Sequence, residues 1–268
     1  MMKSIYFTFL FLAILLFACN SNQATTEDAA EKAPKNTEVE KPISGKYVLT
    51  PFTESINFPD ASIESMEYQN FKFNFKVGGE SYKLGVQTSD APQKNCANSA
   101  QGQHIHLIPN NLPYAAKYTP EFDYQMPDGE HHVLAFLSRS YHESIKTDAA
   151  HKAVKVKVEK GAFVESTDIK DPMLFYSRPK GTYSGDDTKK VMLDFYLVNA
   201  DMKEYKVKAE INGEEHLLSD WIPYYIEGLP MGDNEIKLTL VDNDGNTVNT
   251  PLNPVSRKFK LEAEPEKN

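Results

Sequence analysis

Apolar and polar residues alternate with a period of two along much of the chain after residue 44. The stretches NFKFNFKV (70–77) and AVKVKVEK (153–160) show the pattern most clearly. Such alternation predicts β-strands with one buried face and one solvated face. Short apolar runs recur between Gly, Pro and Asn turns, and no window has the period of a long amphipathic helix. The pattern therefore predicts an all-β fold built from immunoglobulin-like β-sandwiches.

The second half of the chain repeats the order of features in the first half, which predicts a duplicated unit. We therefore expect two tandem domains, a His-rich first β-sandwich at 44–160 and a second at 172–263. Residues 161–171 would form the connection, and residues 264–268 a short tail. The proposed counterparts are YVLTPF and MLFYSRP, NFKFNFKV and KKVMLDFYLVN, QHIHLIPNN and YKVKAEINGEE, HHVLAFLSRSYHES and NEIKLTLVDNDGNTV, and AVKVKVE and SRKFKLE.

The first residues have the features of an export signal. Lys3 precedes an apolar run at 5–18 that is too short to span a bilayer comfortably. The run ends in Leu-Phe-Ala directly before Cys19, which resembles the lipobox of bacterial lipoproteins, with Phe17 as a departure. The resemblance implies that 1–18 is a signal peptide, that Cys19 carries lipid, and that the protein is membrane-anchored.

The residues after the lipobox refine the expected location. Asn20 favours the outer membrane over the inner membrane, with the face of that membrane left open. Residues 19–43 contain few apolar side chains, which predicts a flexible linker between the lipid and the folded part. The chain is therefore expected to be a lipid-anchored protein of the cell envelope.

The charge of the chain limits its expected partners, and its cysteine content limits the disulfides that it can form. The chain has 29 basic and 38 acidic residues, a net charge of −9. An acidic surface repels phosphate backbones, so nucleic acid is not an expected partner. If Cys19 is acylated, Cys96 is the only thiol that remains, and no intramolecular disulfide can form.

Five of the seven histidines lie between residues 104 and 142. Comparison with the second repeat places Ile105 and Leu107 towards the core, so His104 and His106 should point outward together from one face. The same comparison places Leu134 and Phe136 on an outer face, where another part of the protein is expected to cover them.

This pattern leaves two interpretations of the histidines open. Two imidazoles at strand spacing, joined by a third from a neighbouring strand, can bind copper or zinc. Alternatively, His104 and His106 are solvated or hydrogen-bonded surface residues, and Leu134 and Phe136 pack against the other domain. The candidate metal ligands are His104, His106, His132 and His142, with Met126 or Cys96 as a soft ligand for copper.

Two short stretches resemble the phosphopeptide-binding motifs of forkhead-associated domains. SRSYHESI (138–145) is similar to their Ser-Arg-x-His stretch, with one extra residue, and NDGNTVN (243–249) is similar to their Asn-Gly-Thr turn. The resemblance implies that Ser138 and Arg139 grip a phosphothreonine. The two stretches lie in different repeats, and no Gly-Arg strand precedes the first.

As a whole, the chain resembles two-repeat lipoproteins of Bacteroidota-type bacteria, and GQHIHLI resembles the strand of a small His-rich envelope domain. Neither resemblance implies a catalytic residue. Hydrolase and nucleotide-binding motifs such as G-x-S-x-G, H-E-x-x-H and the P-loop do not occur in the sequence. The aromatic residues Trp221 and Tyr224 are candidates for a sugar or peptide platform, or for ordinary packing.

Together these observations favour a non-enzymatic, lipid-anchored envelope protein that acts as a binding or structural module. Its ligand would be an unknown protein, peptide or glycan. The first alternative is a periplasmic or surface protein that binds copper or zinc, and the second is a phosphopeptide-binding protein.

Overall fold

The computed structural model describes residues 45–264. The predicted signal peptide at 1–18, the lipidated Cys19, the linker up to residue 43 and the tail after Glu264 lie outside the described residues, and these assignments stay predictions. Within 45–264, no helix is long and apolar enough to cross a membrane.

Residues 45–264 form seventeen β-strands and three short 3-10 helices, which confirms the all-β prediction. The helices are Ala91–Gln93, Asp148–Ala150 and Gly185–Thr188. The strands are β1 (Val48–Pro51), β2 (Ser62–Gln69), β3 (Lys72–Gly78), β4 (His104–Pro109), β5 (Ala115–Lys117), β6 (Glu121–Asp123), β7 (Gly129–Ser138), β8 (His151–Glu159), β9 (Ala162–Asp168), β10 (Met173–Arg178), β11 (Gly181–Ser184), β12 (Val191–Val198), β13 (Tyr205–Ile211), β14 (Glu214–Leu218), β15 (Tyr224–Glu227), β16 (Gly232–Asp242) and β17 (Val255–Glu262).

The first sandwich packs a sheet of order β2-β3-β6 against a sheet of order β5-β4-β7-β8-β9. The second sandwich packs β1-β15-β12-β10 against β11-β17-β16-β13-β14. In each sandwich, the larger sheet contains the long hairpin strands. The smaller sheet combines the early strands of the repeat with one later strand. This is the strand arrangement of immunoglobulin-like sandwiches. Each sandwich has its own apolar core, with Phe73 in the first and Phe195 in the second, for example.

The duplication is visible in the topology, with one counterpart reassigned. β3, β4, β7 and β8 occupy the places that β12, β13, β16 and β17 occupy in the second sandwich. The stretch YVLTPF was expected to match β10, but it forms β1, which pairs with β15 of the second sandwich. Tyr47 and Leu49 are buried in the second core, and alternation alone does not reveal which sheet a strand will join. The counterpart of β10 is β2.

Two further segments differ from the sequence predictions. Residues 161–171 were expected to be a connection, but β9 forms there and pairs with β8 along the edge of the first sandwich. Most of β9 is exposed on both faces, so its sequence has no apolar alternation to reveal it. Conversely, YKLGVQT (82–88) was expected to be a strand, and it consists of turns and irregular backbone.

An apolar layer joins the two sandwiches, and we call it the shared layer. Leu134 and Phe136 of β7 lie in it without any exposed surface, which confirms that the outer face of the first sandwich is covered. The ring of Phe136 stacks on Tyr196 of the second sandwich, with 5.0 Å between the ring centroids. The buried residues of the shared layer are Ile108, Tyr114, Leu134, Phe136, Ile169, Met173, Phe175, Tyr196 and Val198.

Candidate metal centre

His104 and His106 lie on the face of β4 that points away from the core of the first sandwich, as the comparison of repeats predicted. Their neighbours Ile105 and Leu107 point into that core. The interpretation that the two histidines are solvated is wrong, because both are fully buried. The second sandwich covers this face, and an alternating pattern cannot distinguish solvent from a second protein layer.

Three histidine nitrogens converge on one point. His104 Nε2 lies 2.9 Å from His106 Nε2 and 3.0 Å from His142 Nδ1. All three ligand atoms lie within 4.8 Å of one another. We call His104, His106 and His142 the three-histidine cluster.

His132, also predicted as a ligand, does not belong to the cluster. It lies on the same face of β7, but four residues before Phe136, the strand partner of His106. At about 3.3 Å per residue, this offset is about 13 Å along the strand. The backbone amide of His132 donates a hydrogen bond to Asn110 Oδ1 over 2.9 Å.

The two soft ligands suggested for copper lie elsewhere as well. Met126 is buried in the core of the first sandwich, where its amide donates to the Tyr68 hydroxyl. Cys96 packs beside Tyr141 and Met192, and burial raises the pKa of its thiol to about 12. The Sγ atom of Cys96 does not belong to the group of ligand atoms formed by His104, His106 and His142.

The loop between β7 and β8 brings His142 to the cluster. His142 has a φ of 70°, in the left-handed region, and its amide donates to the Arg139 carbonyl over 2.9 Å. A bridge between Ser138 and Ser144 closes the base of this loop. Local hydrogen bonds thus hold the backbone in a conformation that few residues other than Gly adopt, and they fix the direction of the imidazole.

Ser138 and Arg139 shape this loop, and they are not open to a phosphate. Arg139 is buried, and its Nε and Nη2 atoms donate to the Ile56 carbonyl over 3.0 and 2.7 Å. Its Nη1 atom lies 3.6 Å from the carboxylate of Glu143. The hydroxyl of Ser138 donates to the Arg139 carbonyl over 3.0 Å. The predicted roles of Ser138 and Arg139 in gripping phosphothreonine are therefore wrong.

The duplication relates the two motif-like stretches to each other. NDGNTVN lies in the loop between β16 and β17, the counterpart of the loop that carries His142. A bridge between Val241 and Thr247 closes that loop in the same way as the bridge between Ser138 and Ser144. The stretches are thus equivalent loops of the two repeats, and they do not form two halves of one phosphopeptide site.

We expect Arg139→Met to lower the free energy of unfolding by about 2 kcal/mol, because it removes the charge-assisted hydrogen bonds that the buried Arg139 guanidinium donates to the Ile56 carbonyl. Urea denaturation measures the change. Neither the wild-type protein nor the variant should bind phosphothreonine peptides in a fluorescence polarisation assay. Wild-type binding that disappears in Arg139→Met would contradict the structural role assigned to this side chain.

The protonation state of His104 leaves a lone pair at the centre of the cluster. Its Nδ1–H donates to the Gly102 carbonyl over 2.8 Å, so Nε2 has no proton when the ring is neutral. Nitrogens of His106 and His142 both approach this single lone pair. One lone pair accepts one good hydrogen bond, so the two contacts cannot both be good hydrogen bonds. A cation between the three nitrogens would instead be bound by a lone pair of each ring.

Burial keeps the three imidazoles unprotonated. Desolvation lowers the pKa of His104 to about 4, and it lowers the pKa of His106 and His142 well below the usual value of 6.5. The positive charges of Arg178 and Lys180 lower all three pKa values further. Neutral imidazole is the form that binds a metal ion.

Neighbouring side chains fix the orientation of the rings. The ring of Tyr114 stacks on His106 with a centroid distance of 3.7 Å and an interplanar angle of 7°. Ser177 Oγ of the second sandwich lies 3.4 Å from His106 Nδ1, and the Tyr118 ring lies 4.9 Å from that of His104. Such contacts orient imidazole ligands in metal sites. The sequence alone did not reveal Ser177, although Ser177 and Arg178 are polar residues at the end of an apolar strand.

The aromatic residues predicted as a ligand platform are packed into the protein. Trp221 Nε1 donates to the Phe195 carbonyl over 3.1 Å, and the indole meets the Tyr196 ring edge-on. Tyr224 is buried in the core of the second sandwich. The alternative interpretation of Trp221 and Tyr224 as packing residues is therefore correct.

No protein-family model matches this chain, and no curated protein matches it. Among solved structures, the chain is similar to fibronectin(III)-like modules of CbhA from Clostridium thermocellum, with 18% identity over 34% of this chain and 98% of that chain, and a TM-score of 0.27. It is also similar to SGBP-B of the Bacteroides ovatus mixed-linkage glucan utilization locus, in complex with a heptasaccharide. That match has 7% identity, covers 85% of this chain and 72% of that chain, and has a TM-score of 0.24. Similarity this low carries no argument about the ligand.

Proposed function

We propose that this protein is a non-enzymatic metal-binding module of the bacterial envelope that holds one copper or zinc ion. The ligands are His104 Nε2, His106 Nε2 and His142 Nδ1. The observation that carries the proposal is the convergence of these three buried, neutral nitrogens on one point.

The ligand chemistry favours copper or zinc over harder ions. Imidazole nitrogen suits zinc and copper, whereas magnesium and calcium take oxygen ligands. Two nitrogens at about 2.0–2.1 Å from a tetrahedral zinc ion lie about 3.3 Å apart. The two separations from His104 Nε2, 2.9 and 3.0 Å, are a few tenths of an ångström shorter, and the third lies within 4.8 Å. Small movements of the rings that make the three separations more equal would admit the ion.

Burial favours a role in holding an ion over the turnover of a large substrate. His104 and His106 have no exposed surface, and only His142 is partly exposed. Among residues 45–264, the cluster contains three histidines and no carboxylate that would serve as a general base. The lipid anchor predicted at Cys19 would hold the module at the membrane of the envelope, on its periplasmic or outer face, where we expect it to bind or store the ion.

A metal titration with matched variants tests the proposal. The purified protein should bind one equivalent of Zn²⁺ or Cu⁺ in competition with a chromogenic chelator. His142→Asn removes one imidazole while keeping a residue type that tolerates positive φ, and it should weaken binding by at least about 100-fold. His132→Asn, which removes a histidine outside the cluster, should leave the affinity unchanged.

Equal metal binding by the wild-type protein and His142→Asn would overturn the proposal. The protein would then be a binding or structural module without a resident metal, with a protein, peptide or glycan as its partner. Equal losses in His142→Asn and His132→Asn would indicate binding by surface histidines outside the cluster.

A further inference from the structure

Arg178 is a buried arginine without a counter-ion. It is 5% exposed, and its Nε and Nη1 atoms have no hydrogen-bond partner among the described residues. None of the ion pairs within residues 45–264 includes it. The Tyr183 ring lies against the guanidinium at 5.3 Å. Tyr183 also hydrogen-bonds to the Arg178 side chain. Leaving Nε and Nη1 of a buried charge unpaired is costly, which points to an acceptor for these two atoms that residues 45–264 do not provide.

A β-bulge turns Arg178 towards the first sandwich. The pairing of β10 with β12 shifts between Tyr176 and Arg178, so that Arg178 lies opposite Asp194. Asp194 points to the first sandwich, where Lys146 and Ser144 bind its carboxylate over 2.6 and 3.1 Å. Asp194 is therefore already neutralised, and Arg178 shares its face without pairing with it.

The chain segment that carries Arg178 lies against the three-histidine cluster, since Oγ of the preceding Ser177 is 3.4 Å from His106 Nδ1. The positive charges of Arg178 and Lys180 both lower the pKa of His104, His106 and His142. Lys180 lies over the Tyr114 ring at 4.2 Å, and Tyr114 stacks on His106. Two positive charges therefore act on the cluster before any metal binds.

A metal ion held only by neutral imidazoles would add its full charge to this environment. Zinc bound to three protein ligands also keeps an open coordination position. An anion in that position would offset the charge of the ion and supply the acceptor that Arg178 lacks. Guanidinium groups recognise planar oxyanions such as carboxylates well, because their donors match the oxygen geometry.

We propose that the cluster and Arg178 form one composite site, in which a small carboxylate-type oxyanion bridges the bound metal and the Arg178 guanidinium. This proposal rests on the proposed function, because the anion binds at the open position of the metal. It assigns Arg178 as the anion-binding residue and Lys180 as a supporting positive charge.

Cobalt substitution tests the composite site, because the visible bands of Co²⁺ report its ligands. The protein is loaded with Co²⁺ in anion-poor buffer and titrated with acetate, bicarbonate or chloride. We expect a saturable band shift with acetate and bicarbonate at lower concentrations than with chloride. The relative affinities for acetate and bicarbonate distinguish an organic carboxylate from inorganic carbonate as the source of the oxyanion.

Variants then assign the anion partner. Arg178→Gln should weaken acetate binding by at least about tenfold, the loss of a charge-assisted contact, while Co²⁺ still binds. Arg178→Lys should restore part of the affinity. Lys180→Gln, at a less buried position, provides a second variant if Arg178→Gln does not fold, and it should weaken acetate binding by a smaller factor.

The outcomes separate the two proposals. Failure of the wild-type protein to bind Co²⁺ in stoichiometric amount would remove the proposed function and this inference with it. If Co²⁺ binds in stoichiometric amount but its visible bands do not shift with acetate, bicarbonate or chloride, the composite site is overturned and the proposed function is not. An equal acetate shift in the wild-type protein, Arg178→Gln and Lys180→Gln would overturn the role of Arg178.

Discussion

Lowering the pH from 7 to 5 is expected to destabilise the metal-free protein by several kcal/mol. Burial holds the pKa of His104 at about 4 and the pKa of His106 and His142 well below 6.5 in the folded protein. In the unfolded chain each imidazole titrates near 6.5. At pH 5, each histidine whose folded pKa lies below 5 therefore costs about 2 kcal/mol of stability.

The direction of this effect follows from proton counts. Below about pH 6.5 the unfolded chain binds more protons than the folded protein, so stability falls as the pH falls. Burial also lowers the pKa of His132 and His151, which adds to the effect, whereas burial raises the pKa of Glu143, which opposes it. A variant of the cluster is needed to isolate its share.

Urea denaturation with a chelator present, at pH 7, 6 and 5, measures the dependence. The double variant His104→Gln and His142→Asn should lose markedly less stability between pH 7 and pH 5 than the wild-type protein. His132→Asn serves as the comparison, because it removes a single, partly exposed histidine outside the cluster and should change the pH dependence by less than the double variant. Parallel curves for the double variant and the wild-type protein would show that the cluster does not titrate as its burial requires.

Replacing Phe136 by alanine is expected to lower the free energy of unfolding by about 3–5 kcal/mol. Phe136 has no exposed surface, and its ring packs on Tyr196 of the second sandwich and on His106 at 4.8 Å. The substitution leaves a cavity in the shared layer. Because this layer belongs to both sandwiches, we expect them to unfold together in one transition at lower temperature.

Calorimetry and circular dichroism test this prediction, with Leu217→Ala as the control. Leu217 is 55% exposed, so its truncation should change stability by less than about 0.5 kcal/mol. Phe136→Ala should also weaken metal binding, since the cavity releases one side of the His106 ring. Two separate transitions in the variant, with one unchanged from the wild-type protein, would show that the shared layer does not couple the sandwiches.

The sequence predicted the strands that have one solvated face, and it predicted the side of β4 that carries the histidines. Alternation in β8, β13 and β17 follows burial closely, because one face of each strand meets water. β10 and β12 are buried on both faces, so alternation could not separate their core side from their shared side. For β7, comparison with its counterpart β16, position by position, did indicate which side chains face the core.

The candidate site was only partly predictable, because it combines residues from both repeats. His104 and His106 stand out through their spacing, and His142 was named without any sign that a loop would turn it inward. His132 is excluded by its position four residues before Phe136 on β7, whereas the loop in which His142 has a φ of 70° brings that residue to the cluster. Ser177 reaches the cluster only because the sandwiches pack face to face, a contact that no local pattern encodes.

The pairing of β1 with β15 has a consequence for folding during synthesis. Pro51 lies opposite Tyr224, so the partner of the first strand follows it by 173 residues. At roughly 5–20 residues per second, the ribosome needs on the order of 10–35 s to deliver that partner. Until then Val48–Pro51 has no strand partner. We therefore expect a chaperone that acts on the nascent chain or during export to bind this segment.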